Sequence, residues 1–279
     1  MGVQVLTDSL GDIPSKVAED LGITIVPINV IFGDDVYRDG VDITTDQFYQ
    51  KLTASKILPK TAVPPIGTFV EAYDRLAEGS DAILVITVSS KFSATYEAAL
   101  QASKQVNKKC RIEVIDSLSG CMQLGLLVIT AARTVKDGAS LDDAVALTRR
   151  NMSRVEIRFA FDTLEYLKRG GRIGRVQALM GGLLKVNPIT TIKNGEAFPV
   201  TRERSRAKAI NYLCDFGMSF TRIEEMAVED ATTPGEAEQI IQHLSHKFPA
   251  ERVYRSKVSP VIGAHVGPRA LAVTVLGDK

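Results

Sequence analysis

The sequence predicts an α/β protein: an N-terminal part built on a doubly wound, mainly parallel sheet, and a C-terminal α+β part. In the first half, short apolar segments alternate with longer segments of helical spacing. That order is typical of a parallel sheet covered by helices on both faces. In the second half the turn signals lie closer together. Asn194-Gly195 between two strand-like segments predicts an antiparallel hairpin there.

The first half supplies the elements of the parallel sheet. Its continuous apolar run, 82–88, is typical of a central parallel strand. The prolines of 58–65 predict a loop. The remaining strands are predicted from apolar and β-branched runs at 3–6, 23–32 and 112–115. Helices are predicted from helical spacing, caps and prolines at 14–22, 45–54, 66–77, 93–106, 119–137 and 141–152.

The second half predicts shorter elements. Strands are expected at 155–161, 187–192, 196–200, 226–229, 253–255 and 271–276. Helices are expected at 164–174, 177–184, 204–216 and 234–248. The change from alternating strands and long helices to shorter elements predicts two domains, 1–152 and 153–279. A ligand tunnel is expected between or within them.

Composition excludes several classes of function. The net charge of +1 predicts no binding to nucleic acid. Three cysteines without short spacing argue against a disulfide framework or a zinc site, so a cytoplasmic location is expected. The opening residues carry Asp8 and predict no secretory leader.

The most apolar segment, 120–135, predicts a helix buried on most sides. Gln123 and Arg133 interrupt it, and it is too short to span a bilayer, so no stable membrane insertion is expected. Core packing is the first explanation of such a helix. Part of its surface is also suited to line a tunnel.

Hydroxyl side chains follow several predicted strands, where ligands of parallel sheets bind. They occur in Thr7-Asp8-Ser9, at Thr61, at Ser89-Ser90 with Ser93, and in Asp116-Ser117. Hydroxyls beside a helix N-terminus suit an anion, because free backbone N–H groups add to their donors. Each alone is explained as a helix cap; together they predict an anion site.

Motifs of the common enzyme classes are absent from the sequence. There is no Walker A motif, no G-x-S-x-G motif and no metal-ligand spacing, so neither a metal nor a cofactor is expected. Gly170–Gly174 (GGRIG) is glycine-rich without clearly following a strand. His265 lies in a glycine-flanked turn and is a candidate site residue.

The motifs taken in order resemble the bacterial DegV family of fatty-acid-binding proteins, the lipid-loading subunits of fatty acid kinase. The resemblance covers essentially the whole chain. It begins at Thr7-Asp8-Ser9 and continues through 86–96 (ITVSSKFSATY), which is similar to the family's I-S-S-x-L-S-G-T-Y. Asp116-Ser117, 164–174 and His265-x-Gly267-Pro268 complete it.

The resemblance implies that the chain binds one long-chain fatty acid and presents its carboxylate to a separate fatty acid kinase, without catalytic activity of its own. It implies that Thr61 and Ser93 bind the carboxylate. His265, Ser9 and Ser90 are expected to join the head-group network. Arg172, expected in an exposed turn, is a candidate for kinase docking.

The threonine loop departs from the family pattern. The family's T-S-x-P-S reads Thr61-Ala62-Val63-Pro64-Pro65 here, so the threonine remains and both serines are missing. Two alternatives stay open. One is an acyl hydrolase acting on lipids through Ser93 and His265, and the other is a site for a small phosphorylated ligand.

Overall fold

The computed structural model describes residues 2–106, 109–180 and 186–279. Its strands are β1 (Gly2–Asp8), β2 (Ile23–Val26), β3 (Asn29–Phe32), β4 (Asp35–Arg38), β5 (Lys60–Ala62), β6 (Ser80–Thr87), β7 (Arg111–Asp116), β8 (Val155–Ala160), β9 (Asn187–Lys193), β10 (Glu196–Glu203), β11 (Arg222–Asp230), β12 (Val253–Lys257) and β13 (Leu271–Asp278). Its α-helices are α1 (Ser15–Leu21), α2 (Thr45–Ala54), α3 (Ile66–Leu76), α4 (Thr95–Ser103), α5 (Cys121–Lys136), α6 (Leu141–Asn151), α7 (Glu165–Arg169), α8 (Arg206–Met218), α9 (Pro234–Leu244) and α10 (Pro260–Val266).

The parallel sheet has the order β2-β1-β6-β7, with every neighbouring pair parallel. Successive residues of β6 face opposite sides of this sheet. Leu84 packs into the core that contains α5, whereas Ile83 and Val85 pack into the core of α3 and α4. Both faces are therefore buried, as the continuous apolar run predicts. The predicted fold class is confirmed.

Two predicted features of the first half are wrong. The segment 23–32 is not one strand, because the chain breaks between β2 and β3 at Pro27, which has no N–H to donate to a ladder. β3 instead joins a small antiparallel sheet of order β4-β3-β5. The predicted loop 58–65 contains β5, in which Thr61 pairs with Val30. The prolines flank this strand rather than interrupt it.

The C-terminal sheet has six strands in the order β10-β9-β8-β13-β11-β12. Only the β11–β12 pair among these neighbours is parallel. The β9–β10 hairpin turns at Asn194 and Gly195, whose φ angles of 52° and 81° suit an Asn-Gly turn. The predicted hairpin is confirmed. Helices α8 and α9 cover one face of this sheet.

Helix α5 lies between the two large sheets. It packs against β1 and β6 of the parallel sheet and against β8, β11 and β13 of the C-terminal sheet. Leu124, Leu126, Leu127 and Val128 are completely buried, as expected for a helix that is apolar all round. Most of α5 is therefore core; only its first turn reaches the cavity described below.

Helix boundaries in the middle of the chain differ from the predictions. The predicted helix 164–174 is shorter, since α7 ends at Arg169. The chain leaves it through Gly171 with φ of 70°, a conformation that favours glycine. The predicted helix 177–184 begins in a 3₁₀ turn, Gly174–Leu179, and its last residues, 181–184, lie outside the described residues.

We propose 1–152 and 153–279 as the two domains, because no strand is shared by the large sheets of the two parts. Helix α10 nevertheless packs against α2, β3 and β5 of the first part. Within the described ranges, no helix is both long and apolar enough to cross a membrane.

Candidate functional site

A cavity of about 250 Å³ lies where the two parts of the chain meet. The carboxyl-terminal ends of β1 and β6, the first turn of α5, β5, β9 and α10 all contribute to its wall. The wall is mostly apolar. Its larger apolar side chains include Leu10, Ile28, Val88, Phe159, Phe161 and Ile192. Such a wall favours a hydrocarbon ligand, because it offers few partners to polar groups.

Thr61 and His265 are in contact at one part of this wall. The Thr61 Oγ1 and His265 Nε2 atoms are 3.1 Å apart, although 204 positions separate the residues in sequence. β5 positions the threonine and α10 positions the histidine. Ala62 also lines the cavity and adds apolar surface there. Pro65 directly precedes α3 and supplies no side-chain cap.

His265 is neutral at physiological pH. Burial, together with the nearby Arg172 guanidinium, lowers its pKa to about 4. Its Nδ1 atom is buried and has no hydrogen-bond partner among the described residues. Gly170 packs so closely that a Cβ atom there would lie 2.2 Å from Nδ1. The absence of a side chain at Gly170 therefore allows the imidazole its position.

Ser93 lines the same cavity just before α4. Its Oγ lies 2.8 Å from Thr95 Oγ1, so the two hydroxyls share one hydrogen bond. The α4 N-terminus has no side-chain cap, so its first backbone N–H groups are free to meet an anion. This arrangement combines hydroxyl donors with a favourable helix dipole.

Arg172 lies in the wall of the cavity and is half-buried, which corrects the expectation of an exposed turn. Its Nε donates to the Phe92 carbonyl at 3.2 Å and its Nη1 donates to the Gly170 carbonyl at 2.8 Å. These two backbone contacts hold the side chain across the loop before α4. Its Nη2 has no partner within the described ranges. Sequence reasoning placed this residue on the surface because a glycine-rich turn is usually exposed.

Ser9 and Ser90 are not among the described residues that line this cavity. Ser9 Oγ accepts from the Ile28 N–H at 3.2 Å and its hydroxyl bonds to the Asp39 carboxyl. Ser90 Oγ donates to Asp116 Oδ2 at 2.6 Å. Both hydroxyls stabilise loops at the ends of strands, so the structure does not bring them into the predicted head-group network.

Behind the cavity lies a cluster of buried ionisable groups that the sequence did not reveal. One potential ligand atom from each of Asp12, Cys121 and Glu229 lies within 4.8 Å of the other two. Burial raises the pKa of all three groups, and Glu229 reaches about 7. Next to burial, the charge of Glu229 is the largest cause of the raised pKa of Asp12. Because the three residues are far apart in the sequence, no sequence motif marks the cluster.

The cavity lacks the geometry of a serine hydrolase in the part of the chain that the structure describes. Ser93 bonds to Thr95 and His265 bonds to Thr61, so no serine–histidine contact is present. The unpartnered His265 Nδ1 leaves no acid to orient the imidazole. The Asp8 carboxylate accepts from the Leu10 and Val88 N–H groups rather than from His265.

Fold and cavity together define an α/β protein with a helix between two sheets and an apolar cavity whose polar groups gather around Thr61 and His265. Comparison with known proteins agrees with this class. A family model described as "Uncharacterised protein, DegV family" matches residues 2–278. A DegV domain-containing protein of Caldanaerobacter subterraneus is 35% identical over 275 residues, which are 97% of each chain.

Solved structures extend the comparison. The structure of DegV from Bacillus subtilis, described as a fatty acid binding protein, is 33% identical with a TM-score of 0.89 and covers 99% of both chains. A stearic-acid-binding protein from Eubacterium ventriosum is 27% identical with a TM-score of 0.88, covering 99% of this chain and 98% of its own. The chain belongs to the DegV family.

Proposed function

We propose that this protein binds one long-chain fatty acid in the cavity, with the acyl chain against the apolar wall. The carboxylate lies beside Thr61, Ser93 and His265. The observation that carries the proposal is the Thr61–His265 pair in a mostly apolar cavity. The fatty acid binding described for the Bacillus subtilis and Eubacterium ventriosum proteins supports the same ligand class.

The acyl chain supplies most of the binding free energy in this proposal. Each buried CH₂ group contributes about 0.8 kcal/mol, so about fifteen groups contribute on the order of 12 kcal/mol before the costs of association. The carboxylate needs hydrogen-bond donors, because an unpaired buried charge is costly. The Thr61 and Ser93 hydroxyls and the free N–H groups of α4 are available to the carboxylate.

The test is mass spectrometry of ligand extracted from purified wild-type protein, Thr61→Val and Ser93→Ala. The wild type is expected to carry a C14–C18 fatty acid stoichiometrically. After lipid removal, each variant is expected to rebind it about 10- to 150-fold more weakly, because one hydrogen bond to a charged group is lost.

Ser103→Ala is the matched control. Ser103 is the last residue of α4, the helix that follows Ser93, and its hydroxyl donates to the Leu100 carbonyl. Its affinity is expected to equal that of the wild type. Absence of lipid, together with no uptake of added fatty acid, would contradict the carrier function. It would also favour the small phosphorylated ligand that the sequence left open.

We further propose that the protein is not catalytic and that a separate fatty acid kinase phosphorylates the bound carboxylate to an acyl phosphate. The sequence contains no Walker A motif to hold ATP, so the nucleotide is supplied by the partner. A hydrolase acting through Ser93 and His265 is disfavoured by the absence of contact between them in the described structure.

In this proposal Arg172 contacts the kinase at the cavity. Its guanidinium is held by two carbonyls while Nη2 stays unpaired within the described ranges. Arg172→Ala is expected to lower the rate of phosphorylation at limiting carrier about tenfold or more, with lipid content unchanged. The assay follows acyl phosphate formation by the partner kinase.

Arg175→Ala is the control for Arg172, since Arg175 lies three positions away, is mostly exposed and pairs with Glu196. Its rate of phosphorylation should match that of the wild type. Unchanged phosphorylation of Arg172→Ala would remove this residue from the docking surface.

A further inference from the structure

A second cavity opens where two strands of the C-terminal sheet diverge. β8 pairs with β9 only through Phe159 and Ala160, although β8 begins at Val155 and β9 continues to Lys193. The gap between the unpaired parts of these strands, closed by the loop 117–119, by α5 and by the end of α6, has a volume of about 540 Å³. Unlike the fatty-acid cavity, it is lined by many polar side chains.

Gln123 places an unsatisfied acceptor in this cavity. Its side chain is 6% exposed, and its Nε2 donates to the Val155 carbonyl at 3.0 Å. Its Oε1 is buried without a hydrogen-bond partner among the described residues. A buried polar atom of this kind is costly unless something donates to it. Gln123 also interrupts an otherwise apolar stretch of α5, where an apolar residue would pack without this cost.

Arg158, which also lines this cavity, lies over the Phe216 ring and carries an unsatisfied donor. Its Nη1 donates to Thr191 Oγ1 at 3.0 Å and its Nη2 pairs with Glu156 at 3.0 Å. Its Nε is buried and, like Gln123 Oε1, has no partner within the described ranges. The residues that line the cavity therefore include one buried acceptor without a partner, Gln123 Oε1. They also include one buried donor without a partner, Nε of the Arg158 guanidinium.

The charges around the cavity favour an anion. Arg149, Arg158 and Lys193 line it together with one carboxylate, Glu156. Glu156 pairs with Arg158 and with Lys279, and Arg149 pairs with Glu113, so Lys193 supplies the unpaired positive charge of the lining. Lys193 makes no ion pair with any described residue and lies 5.5 Å from the centre of the Phe198 ring. Its ammonium group is available to a ligand at the cavity rim.

We propose that this cavity binds a small molecule that carries both an anionic group and a hydroxyl, such as a polyol phosphate. The hydroxyl donates to Gln123 Oε1, and the anionic group meets Arg158 Nε and Lys193. This site is independent of the proposed fatty-acid function. Thr191 and Ile192 line both cavities, so the two sites share one strand as a common wall.

The test is titration calorimetry of the full-length protein with glycerol 3-phosphate, which carries both groups. Inorganic phosphate and glycerol, each with one group, are the comparison probes. Glycerol 3-phosphate is expected to bind saturably at one site and more tightly than either comparison probe. Gln123→Met and Lys193→Met are each expected to raise its Kd about tenfold or more, as one hydrogen bond or charge contact is lost.

Lys91→Met is the control, because Lys91 is exposed, pairs with Glu196 and lies outside the cavity lining. Its Kd for glycerol 3-phosphate should equal that of the wild type. Lys193 is exposed, so its substitution tests the proposal even if Gln123→Met fails to fold. Fatty acid content is measured in every variant and is expected to stay unchanged, which separates this site from the first.

Two results would overturn the proposal. One is the absence of saturable binding in wild-type protein, which would mean that water alone satisfies Gln123 and Arg158. The other is binding that is equal in wild type, Gln123→Met and Lys193→Met, which would place the anion elsewhere on the surface.

Discussion

Lengthening the fatty acid from twelve to sixteen carbons is expected to lower its Kd on the order of one hundredfold. Four additional CH₂ groups transferred from water to the apolar wall contribute about 3 kcal/mol in total. Phe159, Phe161 and Ile192 are part of the wall that receives them. The measurement is a titration of delipidated protein with saturated fatty acids of increasing length.

In this experiment Thr61→Val separates the contribution of the carboxylate to the Kd from that of the acyl chain. The substitution is expected to weaken binding by the same factor at every chain length, because Thr61 belongs to the polar end of the cavity. A Kd that does not depend on chain length would contradict an acyl chain enclosed by apolar residues. It would instead indicate that the ligand is recognised through its anionic group alone.

The free energy of unfolding is expected to fall as pH rises from about 4 to about 8, and Asp39→Asn is expected to reduce this fall. Burial raises the pKa of Asp39 to about 7, although the donors Ser9 and the Val261 N–H act to lower it. The native state therefore retains a proton that the unfolded chain releases near pH 4. The stability due to this group is present below about pH 4 and is lost as pH rises through about 7.

The expected contribution of Asp39 is on the order of 4 kcal/mol over that range. Asp8 and Glu229, with pKa values raised to about 6 and about 7, act in the same direction. The measurement is urea unfolding of delipidated protein at a series of pH values.

Asp42→Asn is the control for Asp39. Asp42 is three positions away, and its hydrogen bonds with Arg38 lower its pKa to about 2. It stays ionised throughout the tested range, so its substitution should leave the slope of stability against pH unchanged. An equal slope in wild type and Asp39→Asn would show that Asp39 is ionised in the folded protein.

Several residues that line the cavity could be singled out from the sequence because their signals are local. Thr61 precedes α3 and Ser93 precedes α4, and hydroxyls at such positions are typical of anion sites. His265 was marked by its small neighbours. Their common location was not predictable, since contact between Thr61 and His265 requires β5 and α10 to pack across 204 positions.

Other residues were misjudged because their environment is entirely non-local. Ser90 carries the same local signal as Ser93, yet its hydroxyl is engaged by Asp116. Arg172 follows a glycine pair typical of an exposed turn, and backbone carbonyls hold it in the cavity wall. The strand predicted over 23–32 was wrong for a local reason, because Pro27 has no N–H to donate and the chain changes sheets between β2 and β3.

The sequence by itself determined the fold class and the hairpin at Asn194-Gly195, and its motifs indicated the family. The fold class and the hairpin depend on hydrophobic period, caps and turn residues, which act over a few neighbouring positions. Only the tertiary structure decided which polar groups face the cavity, that Gln123 and Arg158 line a second cavity, and that Asp12 lies beside Glu229. Burial and partners decide what a polar group does, and both are set by segments distant in sequence.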